Sequence, residues 1–310
     1  MKQAIIDIGS NSIRLTLYEV NGKNFKSLFK EKITAGLAGY VEDGKLSIEG
    51  IECACSALIE FQKILQLLEV DNVAVFATAS LRNISNTQQV LISIHDATGY
   101  VVDVISGEDE ALLGFAGAMH EHNLSCGSFT DIGGASTEIV TFEDGKPTSY
   151  ASYPVGCLSL FKSCVKNILP GDGSIKRIQK AIKNGINIKK NLQQNDDGRA
   201  ANDCCITGEG KQLIGVGGTA RATLKLACHY FNKEKKSNSV TAEELDELCA
   251  YMCSTDKSAV ELILKLEPDR IHTILPGLLI LQHVFHSLNI KKMIVGKYGV
   301  REGYLCQKII

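Results

Sequence analysis

Apolar residues in this chain come in short runs and in helical spacings that take turns along its length. Ala4 to Ile8 is an apolar run closed by Gly9-Ser10-Asn11-Ser12, after which Ile13, Leu15 and Leu17 alternate with Arg14, Thr16 and Tyr18. This pattern predicts a strand, a tight turn and a second strand. It returns as Phe129 to Ile132, then Gly133-Gly134-Ala135-Ser136, then Thr137 to Phe142, ending at Glu143-Asp144-Gly145. Asp7-Ile8-Gly9-x-x-Ser12 matches Asp131-Ile132-Gly133-x-x-Ser136 at an offset of 124 residues. An offset of about one domain length points to a duplicated domain, each copy opened by the same hairpin. The alternative is a chance likeness of two glycine turns.

Each hairpin is followed by a helical pattern, a strand and a turn of small residues. In the first half these are Ile51 to Leu68, Val73 to Thr78, and Ala79-Ser80-Leu81-Arg82. In the second half, Ser174 to Asn184 carries Ile175, Ile178 and Ile182 on one face, and Leu213 to Val216 ends in Gly217-Gly218-Thr219-Ala220. Helices around Thr241 to Cys253 and Leu275 to Leu288 and a strand at Met293 to Val295 complete the pattern. Strands alternating with helices at this density predict α/β layers. Ser125-Cys126-Gly127 reads as the seam, giving domains 1–124 and 125–310, with a polar loop from Asn195 to Cys204.

Composition narrows the function. The 310 residues include 33 basic and 35 acidic side chains, a net charge of −2 that argues against bulk electrostatic binding of nucleic acid. The most apolar stretch, Ile274 to Leu281, contains Pro276 and falls far short of the ~20 residues of a membrane span. The opening MKQAIIDIGS fits no targeting pattern, so a cytoplasmic location is expected. Eleven cysteines without a CxxC read as reduced, mostly buried thiols, with close pairs at Cys53/Cys55, Cys204/Cys205 and Cys249/Cys253. The histidines, including His120 and His122, have no ligand-like context.

Several residues could carry chemistry. A Gly/Ser turn after an apolar strand lets backbone N–H groups converge on phosphate oxygens. Asp7 and Asp131 sit within apolar strands, where a carboxylate needs a cation or donors. Magnesium is the natural cation, and the alternative is that each aspartate caps its own turn. Arg82, just after a strand, could fork onto a phosphate or lie on the surface. In Glu108-Asp109-Glu110, a capping box from Ser106 accounts for Asp109, and the helix dipole accounts for Glu108. Glu110 is left without a capping task and can be a general base if it faces the crevice. Lys176, Arg177, Lys180, Lys183, Lys189 and Lys190 form either a solvated helix face or a track for a long polyanion.

Together, IIDIGSNSIRL, TASLR at 78–82, ISGEDEALL from Ile105, FTDIGGASTEIV from Phe129, GVGGTARA from Gly215, ILPGLLIL from Ile274 and YGVREGYL at 298–305 resemble the exopolyphosphatase and guanosine pentaphosphate phosphohydrolase family. That family belongs with actin, Hsp70 chaperones and sugar kinases, and the resemblance covers nearly the whole chain. It implies two ribonuclease-H-like (actin-like) domains flanking a central cleft, and hydrolysis of terminal phosphoanhydride bonds with Mg²⁺ or Mn²⁺. Carried over, the phosphate loops are Gly9, Ser10, Asn11 and Ser12, then Gly133, Gly134, Ala135 and Ser136, with Gly217 and Gly218 in GVGGTARA. Arg82 is the phosphate arginine and Glu110 the catalytic base, the residue the capping argument leaves over. Glu138, Asp7 and Asp131 are placed near the metal or the water. The closing segment, about 299–310, is expected to return to the first domain.

Two departures stand out. Ala135 replaces a usual glycine and needs a backbone conformation open to a Cβ. The chain also resembles the short, two-domain members, without the C-terminal HD-type helical domain of longer ones. The expected function is an exopolyphosphatase releasing orthophosphate from inorganic polyphosphate, with guanosine pentaphosphate 5′-phosphohydrolysis as the alternative. A non-catalytic polyphosphate or alarmone binder and a sugar-kinase-like phosphotransferase are the rivals. Against the kinase, Glu110 stands where kinases place an aspartate base in the second domain. No nucleic-acid or membrane partner is expected, and a homodimer is a possible assembly.

Overall fold

In the computed structural model, which describes residues 1–188, 211–234, 236–254 and 256–310, the first apolar run forms β1 (Lys2–Ile8) and the alternating run β2 (Ile13–Asn21). They pair antiparallel with Ile8 opposite Ile13 and Asp7 opposite Arg14. β3 (Asn24–Ile33) follows, then the short β4 (Val41–Glu42) and β5 (Lys45–Leu46). Parallel strands β6 (Val73–Ala77) and β7 (Val102–Val104) complete a sheet of order β3-β2-β1-β6-β7. The helix Ile48–Leu67 starts where Ser47 Oγ accepts from the Gly50 N–H, and it buries Ile51, Ala54, Leu58, Phe61 and Leu65.

The chain divides into two compact units, Met1–Glu110 with Tyr304–Ile310, and Ala111–Gly303. In the first, Tyr304 stacks on Phe76 with ring centroids 4.8 Å apart and donates its hydroxyl to Asp103 Oδ2 at 3.0 Å. Burial, and then the Asp103 carboxylate, pushes the Tyr304 phenol up to about 12.

The second unit repeats the scheme. β8 (Gly127–Ile132), β9 (Thr137–Glu143) and β10 (Lys146–Tyr153) are antiparallel, and β11 (Lys211–Val216), β12 (Ser239–Thr241) and β13 (Ile290–Val295) extend the sheet to the order β10-β9-β8-β11-β13-β12. Ile132 faces Thr137 and Asp131 faces Glu138, the register of β1/β2 shifted by the same 124 residues. A second tie recurs too: the Ser80 hydroxyl donates to the Ile8 carbonyl, and the Thr219 hydroxyl to the Ile132 carbonyl. Shared register and shared ties are what a duplicated domain produces, and two independent glycine turns have no reason to share them.

Three features depart from the sequence reading. Ala79–Arg82 is a helical turn, and Gly217-Gly218-Thr219-Ala220 opens the helix Gly217–Tyr230 instead of standing as a free turn. The helix Ile274–Leu288 matches its expected span and runs through Pro276 because a proline in the first turn sacrifices no helical hydrogen bond. Among the described residues, no helix is long and apolar enough to cross a membrane. Cys53, Cys55, Cys157, Cys164, Cys228, Cys249, Cys253 and Cys306 are free thiols, but Cys126 is disulfide-bonded, so the reduced-thiol expectation fails there. Lys189, Lys190, Cys204, Cys205 and the Asn195–Cys204 loop lie outside the described residues.

Candidate active site

The first loop turns on a hydrogen bond from Gly9 N–H to Ser12 O at 3.2 Å. A Cβ on Gly9 would stand 3.0 Å from that oxygen. Gly36 and Ala38 donate to the carbonyls of Asn11 and Ser10, both at 2.9 Å, and fix the loop from its outer side. The N–H groups of Ser10 and Asn11 have no partner among the described residues. Arg14 Nε donates to Ser12 Oγ at 3.0 Å, which brings a guanidinium to the loop.

The second loop repeats the turn, with Gly133 N–H on Ser136 O at 2.9 Å. Gly134 and Ala135 N–H groups likewise have no partner among the described residues. Ala135 is not in the left-handed region, so its methyl is accommodated without strain. The helix Cys157–Cys164 begins on this loop: Cys157 donates to Gly133 O, and Leu158 and Ser159 donate to Gly134 O, at 2.9–3.0 Å. Gly156 has to be glycine, because a Cβ there would enter the Gly134–Ala135 backbone. The Cys157 thiol donates to Gly133 O; burial pushes its pKa up, and Arg270 acts in the opposite sense.

Arg82 and Glu110 meet in the first unit. β6 ends at Ala77, and the turn Ala79–Arg82 carries the arginine off its carboxyl end. Ser106 caps the helix Gly107–Glu121: Asp109 N–H donates to Ser106 Oγ at 3.0 Å, and Ser106 Oγ–H donates to Asp109 Oδ2 at 2.8 Å. Asp109 is thereby engaged, and Glu110 in the next position turns to Arg82, whose Nη1 lies 2.8 Å from Glu110 Oε2 and 3.1 Å from Ile105 O. Arg82 Nη2 and Nε make no hydrogen bond among the described residues. The guanidinium therefore holds the carboxylate with one nitrogen, and two remain without a hydrogen bond among the described residues.

Asp131 and Glu138 stand opposite each other at the end of β8/β9, so their side chains share one face of the sheet. Glu138 is buried, and its Oε1 accepts from Ser152 Oγ at 2.7 Å. Gly217 has φ +79, and a Cβ there would collide with the Asp131 carboxylate. Arg270 lies against Gly218, where a Cβ would come 2.6 Å from its Cζ, and its Nε is 3.4 Å from Glu267 Oε2. Of the expected metal set, Asp131 and Glu138 are in the second unit, while Asp7 is in the first, opposite Arg14. Among the described residues, no three His, Cys, Asp or Glu side chains converge on one point.

The sequence reading missed Arg14 and Arg270 as loop-side cations. Arg14 was visible as the arginine two positions after Ser12, but alternation made it an ordinary strand residue. Arg270 reaches Gly218 from the distant turn Pro268–Arg270, and no local pattern links the two.

Known proteins resemble this chain over most of its length. The chain is 28% identical over 307 residues to the guanosine-5′-triphosphate,3′-diphosphate pyrophosphatase of Aeromonas salmonicida, covering 97% of this chain and 58% of that protein. It thus spans little more than half the length of that relative. It is 27% identical over 304 residues to a putative exopolyphosphatase of Haemophilus influenzae, covering 97% of this chain and 90% of that one. Its fold is that of an exopolyphosphatase from Cytophaga hutchinsonii, with a TM-score of 0.82 at 20% identity over 98% and 96% of the two chains. A family member from Aquifex aeolicus matches with a TM-score of 0.75 at 24% identity over 100% and 97%. These neighbours establish two actin-like α/β domains. A sequence profile described as the Ppx/GppA phosphatase family matches residues 16–309, and with nearly the whole chain accounted for, it belongs to that family.

Proposed function

We propose that this chain is an exopolyphosphatase, hydrolysing the terminal phosphoanhydride bond of inorganic polyphosphate to release orthophosphate. The observation that carries the reading is Glu110, held 2.8 Å from Arg82 at the start of its helix while two guanidinium nitrogens stay available beside it. Glu110 accepts the proton of a water as its oxygen attacks the terminal phosphorus. The bond to the bridging oxygen breaks, and the shortened chain leaves as the anion. Arg82 Nε and Nη2 and the N–H groups of Ser10 and Asn11, all in the first unit, donate to the phosphoryl oxygens as charge builds on them.

Asp131 and Glu138 fit a divalent cation. Two carboxylates directly opposite each other on a strand pair repel unless a positive charge lies near, and their oxygens suit Mg²⁺ or Mn²⁺. A bound cation supplies neutralisation of phosphate charge. Asp7 belongs to the first unit, where it stands opposite Arg14 across β1/β2. Loop donors, Arg14 and Arg270 supply local positive potential to a protein whose net charge is −2.

A second reading is supported by the Aeromonas relative's name: removal of the 5′ terminal phosphate of guanosine pentaphosphate by the same groups. We place the activity in the cytoplasm, without nucleic-acid or membrane partners; sedimentation tests for a homodimer. The deciding experiment measures orthophosphate release with Mg²⁺ on tripolyphosphate, long-chain polyphosphate and guanosine pentaphosphate side by side. Release from polyphosphate is expected; release from none of the three overturns the hydrolase reading.

A further inference from the structure

Strand alternation draws one polar row across the sheet of the second unit. On β8, β9 and β10, Ile132, Ile139 and Tyr153 enter the main core of that unit. The residue before each of them, Asp131, Glu138 or Ser152, turns to the opposite face. Register sets the three side by side: Glu138 stands opposite Asp131 on one neighbouring strand and opposite Ser152 on the other. Phe129, Val140 and Phe142 share that face and form an apolar cluster. Glu138, only 2% exposed, is therefore a carboxylate at the border of an apolar region, where it needs donors.

Ser152 supplies one. Its Oγ–H donates to Glu138 Oε1 at 2.7 Å, the short length of a hydrogen bond to an anion, and this is its only side-chain hydrogen bond among the described residues. The main-chain carbonyl of Glu138 accepts from Thr130 Oγ–H at 2.9 Å. The glutamate is thus anchored at its base and at its tip, and the serine fixes the rotation of the carboxylate. The kind of donor matters as well. β3 has Lys32 in the equivalent place, opposite Arg14, and a lysine beside Glu138 would cancel one of the two negative charges of the row. A serine hydroxyl satisfies one oxygen and adds no charge, so Asp131 and Glu138 keep the two charges that a divalent cation balances. We infer that Ser152 is a positioning residue, whose hydroxyl holds the Glu138 carboxylate in place to share a divalent cation with Asp131. The inference rests on the proposed cation site and adds to it a residue that acts only through Glu138.

The test measures binding of Mn²⁺ alone, by electron paramagnetic resonance of the free ion. The proteins are the wild type, Ser152→Ala, Ser152→Thr, Glu138→Gln and the Ser152→Ala/Glu138→Gln double variant. Removing the partner of a ligating carboxylate is expected to raise the Mn²⁺ Kd of Ser152→Ala roughly tenfold. The Mn²⁺ concentration for half-maximal phosphate release from tripolyphosphate should rise by the same factor. Ser152→Thr keeps the hydroxyl on a residue suited to a strand and should bind Mn²⁺ as the wild type does. Once Glu138 is replaced, loss of the serine should weaken binding no further. Tripolyphosphate binding in chelator should be alike in the wild type and Ser152→Ala, which a general disturbance of the sheet would not allow. An unchanged Mn²⁺ Kd in Ser152→Ala, a threonine protein as weak as the alanine one, a further loss in the double variant, or weakened tripolyphosphate binding in chelator overturns the inference. A wild type that binds no Mn²⁺ also overturns it, and phosphate release then decides the hydrolase reading by itself. Serine-dependent Mn²⁺ binding without phosphate release from any substrate overturns the hydrolase reading and leaves the inference standing.

Discussion

Arg82 and Glu110, one on the turn after β6 and the other at the start of the helix Gly107–Glu121, form an ion pair with N and O 2.8 Å apart, and the same arginine nitrogen also donates to Ile105 O. Glu110 is thereby set in one orientation. Replacing Glu110 with Gln keeps a hydrogen-bonding side chain of the same size but removes the proton acceptor. Turnover on polyphosphate should fall roughly 10²-fold or more while equilibrium binding is little changed. Near-normal phosphate release in that protein would remove the assignment.

Arg82→Ala removes both the hold on Glu110 and two donors, so kcat should fall and KM rise together. Because the two residues act through one contact, the Arg82→Ala/Glu110→Gln protein should be scarcely slower than Glu110→Gln alone. Multiplicative losses in this cycle would show that the residues act independently.

The carboxylates Asp131 and Glu138 should make phosphate release depend on added Mg²⁺ or Mn²⁺. Chelation is expected to abolish turnover, and Glu138→Gln to raise the cation concentration needed for half-maximal rate. An activity indifferent to chelator would exclude the cation.

Gly217→Ala asks an L-residue to hold φ +79 with its methyl against the Asp131 carboxylate. A cost of about 1–3 kcal/mol is expected, and each kcal/mol should lower the thermal midpoint by roughly 2–4 °C. An unchanged midpoint in thermal unfolding would show that this loop relaxes freely.

The Tyr304 phenol, pushed up to about 12, predicts an alkaline limit. Its pKa is raised in the folded protein, so the stability it contributes is complete below its unfolded value of 10 and is lost as pH rises from 10 through 12. Tyr304→Phe keeps the stacking on Phe76 and removes the Asp103 hydrogen bond, costing about 1 kcal/mol at neutral pH. Stability curves of the two proteins should converge as pH approaches 12; curves that stay parallel would dismiss the linkage.

The hairpins, the central strands and Glu110 were legible because each leaves a local mark. Apolar runs bounded by glycine define β1 and β8, and the Ser106–Asp109 cap isolates the following glutamate. β3 was not legible: it alternates exposed Lys26, Lys30 and Lys32 with half-buried Phe25 and Phe29, as an edge strand does when one side faces water. Nor did local spacing show Arg82 to be held by a carboxylate and a backbone carbonyl, since that depends on Ile105 and Glu110 arriving from another strand and helix. Arg270 was hidden for the same reason. Contacts made at long range have no local period, and the arginines of this site are held by such contacts.

The common register of β1/β2 and β8/β9 lets the two halves be read as paralogues within one chain. At matching places one hairpin sets Arg14 across from its aspartate, and the other sets Glu138. The same strand position therefore carries a cation in one half and a carboxylate in the other. One hairpin geometry thereby presents opposite charge to its aspartate in its two copies, a division of labour that no lone copy of the hairpin could contain.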